Sequence, residues 1–369
     1  MLYDVVVVGG GLTGSFTARS LAARGRSVLL LEARPLGHTE GSSHGTSRIF
    51  RRAHPDPLYA EMASRSLRLW RQLESESGAV LLTMTGGLDY GRDRRPAELH
   101  EAVRANGVAC ELLSPDAAAE RFPGMLFPTD VLFHADAGYL DPGAAIEAAL
   151  AAAKKDGADI RIGSGSTVEA VQEQNGNVVV HTPDGKHTGR HVVLAAGPWL
   201  PELLPRTLPT VPVPRLTVTE QNVFHFAQRD PNRPWPVLVC KHDTQFFGLP
   251  SGADGGPTPA LKLGRHDPGP ATSPARRSGV PDPGTRHLIE SFVENWMPGL
   301  VPEPVREDTC LYTRTGNEDF VLDRRGSVTI ASPCSGQGAK FAPALGELIT
   351  DIALDATATP TRFALSSHT

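Results

Sequence analysis

The sequence predicts a two-domain α/β fold, and three observations carry that expectation. The chain has 369 residues, more than one hydrophobic core usually organises. Tyr3 to Val8 is a short, β-branched apolar run, the pattern of a strand covered on both faces of a parallel sheet. Gly9, Gly11 and Gly14 follow at once, and strand-like and helix-like stretches then alternate.

Leu12 to Arg24 has amphipathic, helix-forming character, with Gly25 as a C′ stop. Ser27 to Leu31 forms a second apolar strand, and Glu32 stands at its end. Together these make a dinucleotide-binding βαβ unit. Gly9 permits the tight turn, Gly11 lets backbone approach a pyrophosphate, and Gly14 lets helix and strand pack closely. The helix N-terminus offers unpaired N–H groups to the phosphates. Glu32 accepts from an adenosine ribose and argues against a 2′-phosphate. This unit by itself does not choose between NAD and FAD.

Further along, Pro57 to Gln72 reads as a helix with Leu58, Met62, Leu67, Leu69 and Trp70 on its apolar side. Pro142 to Lys155 is a second helix, opened by Asp141-Pro142. Strand-like stretches around Ile160, from Thr167 to Glu173 and from Asn177 to Thr182, with turns at Asn175-Gly176 and Asp184-Gly185, read as a β-meander. His191 to Leu194 is a buried strand ending in Ala195-Ala196-Gly197-Pro198-Trp199. Those small residues fit close approach to a ligand, and equally a plain strand-to-helix turn. Ser251 to Thr285 is rich in Pro and Gly and reads as loops of a second domain around the island Ala260 to His266.

Composition excludes several classes. Net charge is −5 with both signs interspersed, which gives no reason for a nucleic-acid or anionic-membrane partner. No run approaches the ~18 apolar residues of a membrane span. The start, Met1-Leu2-Tyr3-Asp4, has neither the basic region nor the cleavage site of a signal peptide, so a cytoplasmic location is expected. Cys110, Cys240, Cys310 and Cys334 are far apart without CxxC spacing, so no metal site or disulfide framework is expected.

Glu40-Gly41-Ser42-Ser43-His44-Gly45-Thr46-Ser47-Arg48-Ile49-Phe50-Arg51 is too polar and glycine-rich for a core element. It resembles the G-S-x-H-G-x-[TS]-R-x-x-R stretch of the monomeric sarcosine oxidase and N-methyltryptophan oxidase family, within the D-amino-acid-oxidase-like superfamily. Lys262-Leu263-Gly264-Arg265-His266 is similar to that family's K-x-G-x-H strand. Cys310-Leu311-Tyr312-Thr313 with Asp319-Phe320-Val321-Leu322-Asp323 resembles its C-x-Y-T…D-x-F-x-[IL]-D segment. Ser335-Gly336-Gln337-Gly338-Ala339-Lys340-Phe341 is similar to its S-G-x-G-x-K-F stretch. The blocks stand in family order and span the chain from Met1 to about Asp355.

The resemblance implies a glutathione-reductase-like, FAD-binding Rossmann domain formed by residues 1–79, 140–208 and 320–369. A mixed-sheet substrate domain would be formed by 80–139 and 209–319. It implies FAD held by Gly9, Gly11, Leu12, Thr13, Gly14, Glu32, Ser42, Ser43, Thr46, Val168, Ala196, Gly197, Trp199, Gly336, Gly338 and Lys340. Cys310 would form a thioether to the flavin 8α-methyl group. Such attack needs a thiolate, which a cation such as Arg48 favours. Lys262 would activate O2 through its positive charge, with His44 and Arg48 against the flavin. Arg51 and Lys340 would clamp a substrate carboxylate, and Tyr312, His266 and Phe247 would line the pocket.

The implied reaction takes hydride from the carbon next to the nitrogen of a secondary amino acid and reduces O2 to H2O2. The implied partners are thus a small amine and O2, and the implied state is a monomer. Phe247 replaces a tyrosine of the family and Arg265 an aromatic, which points away from sarcosine to a bulkier N-methyl or cyclic amino acid. Two other readings keep the flavin: an imino-acid dehydrogenase or desaturase, and a non-catalytic flavin subunit of a complex.

Overall fold

In this computed structural model, which describes residues 1–267 and 269–368, the strand Leu2–Val8 lies between two parallel neighbours, Val28–Glu32 and Gly185–Leu194. Asp159–Ile162 and Val328–Ser332 extend the parallel set on its two sides. Both faces of this sheet are covered, which is why its strands are apolar without alternation. Val5, Val7, Leu30 and Val193 belong to a core shared with the helices Leu12–Ala23, Pro57–Ser77, Pro142–Lys155 and Ala342–Ala353. Val6, Val8, Leu29 and Leu31 pack on the other side with Val171, Val178 and Val180.

Three sequence expectations are corrected here. The antiparallel meander is Ala170–Gln174, Asn177–Thr182 and Gly185–Leu194. The stretch around Ile160 is not part of it: Asp159–Ile162 returns after the helix Pro142–Lys155 and therefore pairs in parallel with Val28–Glu32. The turn Ser164–Ser166 delays the next strand from Thr167 to Ala170. Asn175 and Gly176, with φ of 52° and 76°, form the expected hairpin turn. The helix from Pro57 does not stop at Gln72 but runs to Ser77, where Gly78 at φ 72° ends it.

A second, largely antiparallel sheet has eight strands. Its order is Leu300–Arg314, Thr217–Gln228, Ala260–Arg265, Gln245–Pro250, Val237–Lys241, Gly87–Tyr90, Val131–His134, Glu111–Leu113. Phe224, Phe226, Leu261 and Leu263 pack against Ile289, Phe292 and Val293 of the helix Pro283–Trp296. The Pro/Gly-rich stretch thus holds an interior strand and the start of a helix as well as loops. A small third sheet pairs Arg48–Arg51 with Ala137–Leu140, and the latter with Leu82–Met84. Residues of all three sheets line one cavity of about 1810 Å³.

Candidate active site

The turn after Leu2–Val8 forms one end of the cavity. Gly9 has φ 101°, and a Cβ there would lie 2.5 Å from Ala195 O, so only glycine fits. Gly10 N donates to Glu32 Oε2 at 2.6 Å and Arg34 N donates to Glu32 Oε1 at 2.8 Å. Gly11, Leu12, Thr13 and Glu32 line the cavity, as do Val168, Ala196, Gly197 and Trp199. Gly14 does not line it. A Cβ at Gly14 would sit 1.8 Å from Gly9 O, so this glycine lets helix Leu12–Ala23 lie against the loop that faces the ligand.

The segment before Arg48–Arg51 crosses the cavity floor and is pinned from both sides. Leu12 N donates to Ser43 Oγ at 3.3 Å, and Ser42 Oγ donates to Leu311 O at 2.6 Å. Thr46 N donates to Asp254 Oδ2 at 2.8 Å. Arg48 donates to Ser47 O and Ser42 O at 2.8 and 3.1 Å, which fixes its guanidinium under the segment. His44 faces the cavity, and its buried Nε2 has no hydrogen-bond partner. Burial, then Arg48, push its pKa down to about 3, so the ring is neutral.

Lys262, 4% exposed, lies in the interior strand Ala260–Arg265 and lines the cavity. Its Nζ donates to Asp254 Oδ2 at 2.8 Å. Cys310 lies in Leu300–Arg314, opposite Gln221. Burial pushes its thiol up, and Arg48 and Lys262 pull it only part of the way back. The expectation that Arg48 favours the thiolate holds in direction, but burial outweighs it. Cys334, to which the sequence assigned nothing, lines the same wall and accepts from Thr313 N.

A cationic region lies along the cavity. Arg51 donates to Ala53 O, and its Nη1 lies 3.9 Å from Asp89 Oδ1. Lys340 Nζ donates to Gln337 O at 2.9 Å and lies 4.5 Å over the Phe341 ring. Burial, then Arg51, hold Lys340 well below the ordinary lysine range. Tyr312 and His266 stand with ring centroids 5.9 Å apart above Gly336. A Cβ at Gly336 would come 2.5 Å from the Tyr312 ring, so this glycine makes room for it. Gly338 and Thr46 also line the cavity. The Phe247 ring lies over Gly264, where a Cβ would meet it at 2.4 Å.

One cavity therefore joins a dinucleotide-type glycine turn to a wall of cations, a thiol and a neutral histidine. A dinucleotide cofactor fits its donor set, with the unpartnered His44 Nε2 left to meet a ligand. Residues 4–352 match the family model described as "FAD dependent oxidoreductase". The chain belongs to this family of FAD-dependent oxidoreductases. Among proteins of known function it is similar to human peroxisomal sarcosine oxidase, 32% identical over 96% of this chain and 93% of that one. It is also 30% identical to monomeric sarcosine oxidase of Bacillus sp. (strain B-0618), over 95% of this chain and 92% of the relative. Among solved structures it resembles NikD, an unusual amino acid oxidase essential for nikkomycin biosynthesis, with a TM-score of 0.85 and 25% identity over 98% and 97% of the two chains.

In this FAD-dependent oxidoreductase the sequence reading missed four site residues besides Cys334. Gly10 sits inside the glycine fingerprint as an unassigned position, yet its N–H orients Glu32. Asp254 hides in the Pro/Gly-rich stretch, and only the fold brings it to Lys262. Asp89 and Arg94 flank a turn far in sequence from Arg51 but share its surroundings. Among the described residues no cluster of His, Cys, Asp or Glu is placed to hold a metal ion. No helix among them is long and apolar enough to cross a membrane.

Proposed function

We propose that the chain is an oxidase of a secondary amino acid, N-methyl or cyclic. The observation that carries the reading is that Arg51 and Lys340 line the same cavity as Lys262 and Cys310. The chemistry that FAD supplies when bound is two-electron oxidation of the amine to an imine, with O2 as final acceptor and H2O2 as product. The glycine turn, Glu32, and the Ser42–Thr46 segment hold the cofactor in this reading, and Cys310 is its covalent attachment point.

The chain's own residues do the rest. Arg51 and Lys340 hold the substrate carboxylate, whose charge favours the ammonium form of Lys340 against the opposing effect of burial. Tyr312, His266 and Phe247 wall the pocket and limit water around the amine. Lys262 holds a fixed positive charge where charge develops on oxygen. Likeness to two sarcosine oxidases supports the amine class. Phe247 and Arg265 support a substrate other than sarcosine.

The proposal includes a cofactor unit of residues 1–79, 140–208 and 320–369 and a substrate unit of 80–139 and 209–319. In its support, every strand of the first sheet falls in the former and every strand of the second in the latter. It also includes a monomer in the cytoplasm; the Bacillus relative's name supports the monomer. Anaerobic bleaching of the flavin by a panel of secondary amino acids tests the reaction, and absence of bleaching by every one refutes it.

A second reading, a dehydrogenase with another electron acceptor, draws on the Asp254 carboxylate that offsets the Lys262 charge. Peroxide yield under air separates the two.

A further inference from the structure

The cavity wall holds a third cation beside Arg51 and Lys340. Arg94 follows the strand Gly87–Tyr90; its Nε donates to Asp89 Oδ1 at 2.7 Å, and its Nη2 lies 2.5 Å from the same oxygen. Arg51 Nη1 approaches that oxygen to 3.9 Å, so the two guanidiniums stand side by side over one carboxylate. Arg51, Arg94 and Lys340 all line the cavity, whereas Asp89, 1% exposed, lies behind its wall. Among the described residues Asp89 is the one carboxylate in ion-pair contact with any of the three. The neighbouring His54 and His134 bring no negative charge: His134 Nε2 lies 3.6 Å from Asp89 Oδ2, and the buried His54 Nε2 has no hydrogen-bond partner.

Three cations around a single carboxylate leave two positive charges facing the cavity without a counter-charge. Keeping such charges from water is costly unless an anion meets them. The carboxylate of an ordinary amino acid supplies one negative charge. A second remains to be met, and Arg94, at the side of Arg51, is where it would be met.

We propose that the substrate is a secondary amino acid carrying a second acidic group, with one carboxylate between Arg51 and Lys340 and the other on Arg94. The shared Asp89 oxygen keeps the two guanidiniums close, which suits a short dicarboxylic amino acid of the N-alkyl aspartate or glutamate type. This inference rests on the amine-oxidation reading above and names its substrate class. Arg94 is then a specificity-determining residue.

Titration calorimetry of the FAD-loaded protein with succinate and with butyrate tests the dianion site without turnover. Succinate should bind about tenfold more tightly or better, as expected for an added charged hydrogen-bonded pair. Arg94→Gln should remove most of that difference, and Arg94→Lys, which keeps the charge, should retain part of it. Anaerobic flavin reduction should likewise favour N-methyl-L-aspartate over N-methyl-L-alanine, with the ratio of kcat/KM falling in Arg94→Gln. Equal affinities for succinate and butyrate would overturn the proposal. So would equal weakening of both ligands by Arg94→Gln. Preference for succinate without flavin reduction by any secondary amine would refute the reaction and leave the dianion site standing. Flavin reduction without that preference would sink the site alone.

Discussion

Lys262 Nζ and Thr46 N donate to the same oxygen, Asp254 Oδ2, each at 2.8 Å. The carboxylate therefore ties the interior strand of the second sheet to the segment that carries His44 and Arg48. Burial, then Arg48, lower the proton affinity of Lys262, while Asp254 raises it. His44, His225 and Cys310 are further titratable groups around the ammonium. Removal of Asp254 lets Lys262 lose its proton at lower pH. In Asp254→Asn, reoxidation of the reduced flavoprotein by O2 should fall as pH rises through a range where the native protein stays flat. Stopped-flow reoxidation across pH checks this, and parallel profiles would exclude a role for Asp254 in holding the charge.

Lys262→Met removes the charge altogether. Reoxidation by O2 should slow ~100-fold, of the order found when one electrostatic stabiliser is removed. Anaerobic reduction by substrate should change far less. A variant slowed equally in both half-reactions would place Lys262 in substrate binding instead.

Covalent attachment through Cys310 predicts that yellow colour stays with the acid-denatured polypeptide and moves to the supernatant in Cys310→Ser. Because burial raises the thiol's proton affinity, attachment during reconstitution should accelerate as pH rises from neutrality. Colour in the supernatant of the native protein would end the thioether assignment.

Burial pushes the Asp89 carboxyl up, but Arg94 and then Arg51 outweigh it and hold it below the ordinary 3.8. A depressed carboxyl contributes stability that is present above the ordinary value and is lost as pH falls through the lower, folded-state value. Asp89→Asn leaves Arg94 buried without its counter-ion and should cost about 3–5 kcal/mol at pH 7. The gap in denaturant midpoints between native and variant protein should narrow as pH drops below about 4. A gap that stays constant in acid would rule out the charge as its origin.

Gly14→Ala should destabilise by about 1–3 kcal/mol, the usual cost of forcing atoms into a packed site. A Cβ there would sit 1.8 Å from Gly9 O, so the loop itself must shift. Flavin incorporation on reconstitution and the temperature of thermal unfolding should both fall.

The legible part of this molecule was what is local in the chain. Val5 to Val8, the glycine spacing and Glu32 are a contiguous signal, and Pro142–Lys155 announced itself through Asp141-Pro142. Partner choice was not local. Nothing near Ile160 says that its strand pairs with Val28–Glu32 rather than with the next hairpin; the preceding helix decides it. The site divides the same way. Arg51, Lys262, Cys310 and Lys340 stand in recognisable blocks, whereas the acids that face them, Asp89 and Asp254, have no signature of their own. Their role comes from contacts that only the fold makes, as of Asp254 with Thr46 from 208 residues away.

The cavity of about 1810 Å³ gathers walls from all three sheets, so its contents are also part of the protein's interior. A ligand that binds only the native chain adds RT ln(1 + [L]/Kd) to its stability. Cofactor supply would therefore govern more than turnover: while the flavin is held without a covalent bond, its scarcity would leave newly made chains less stable and lower the amount of this protein as well as its activity.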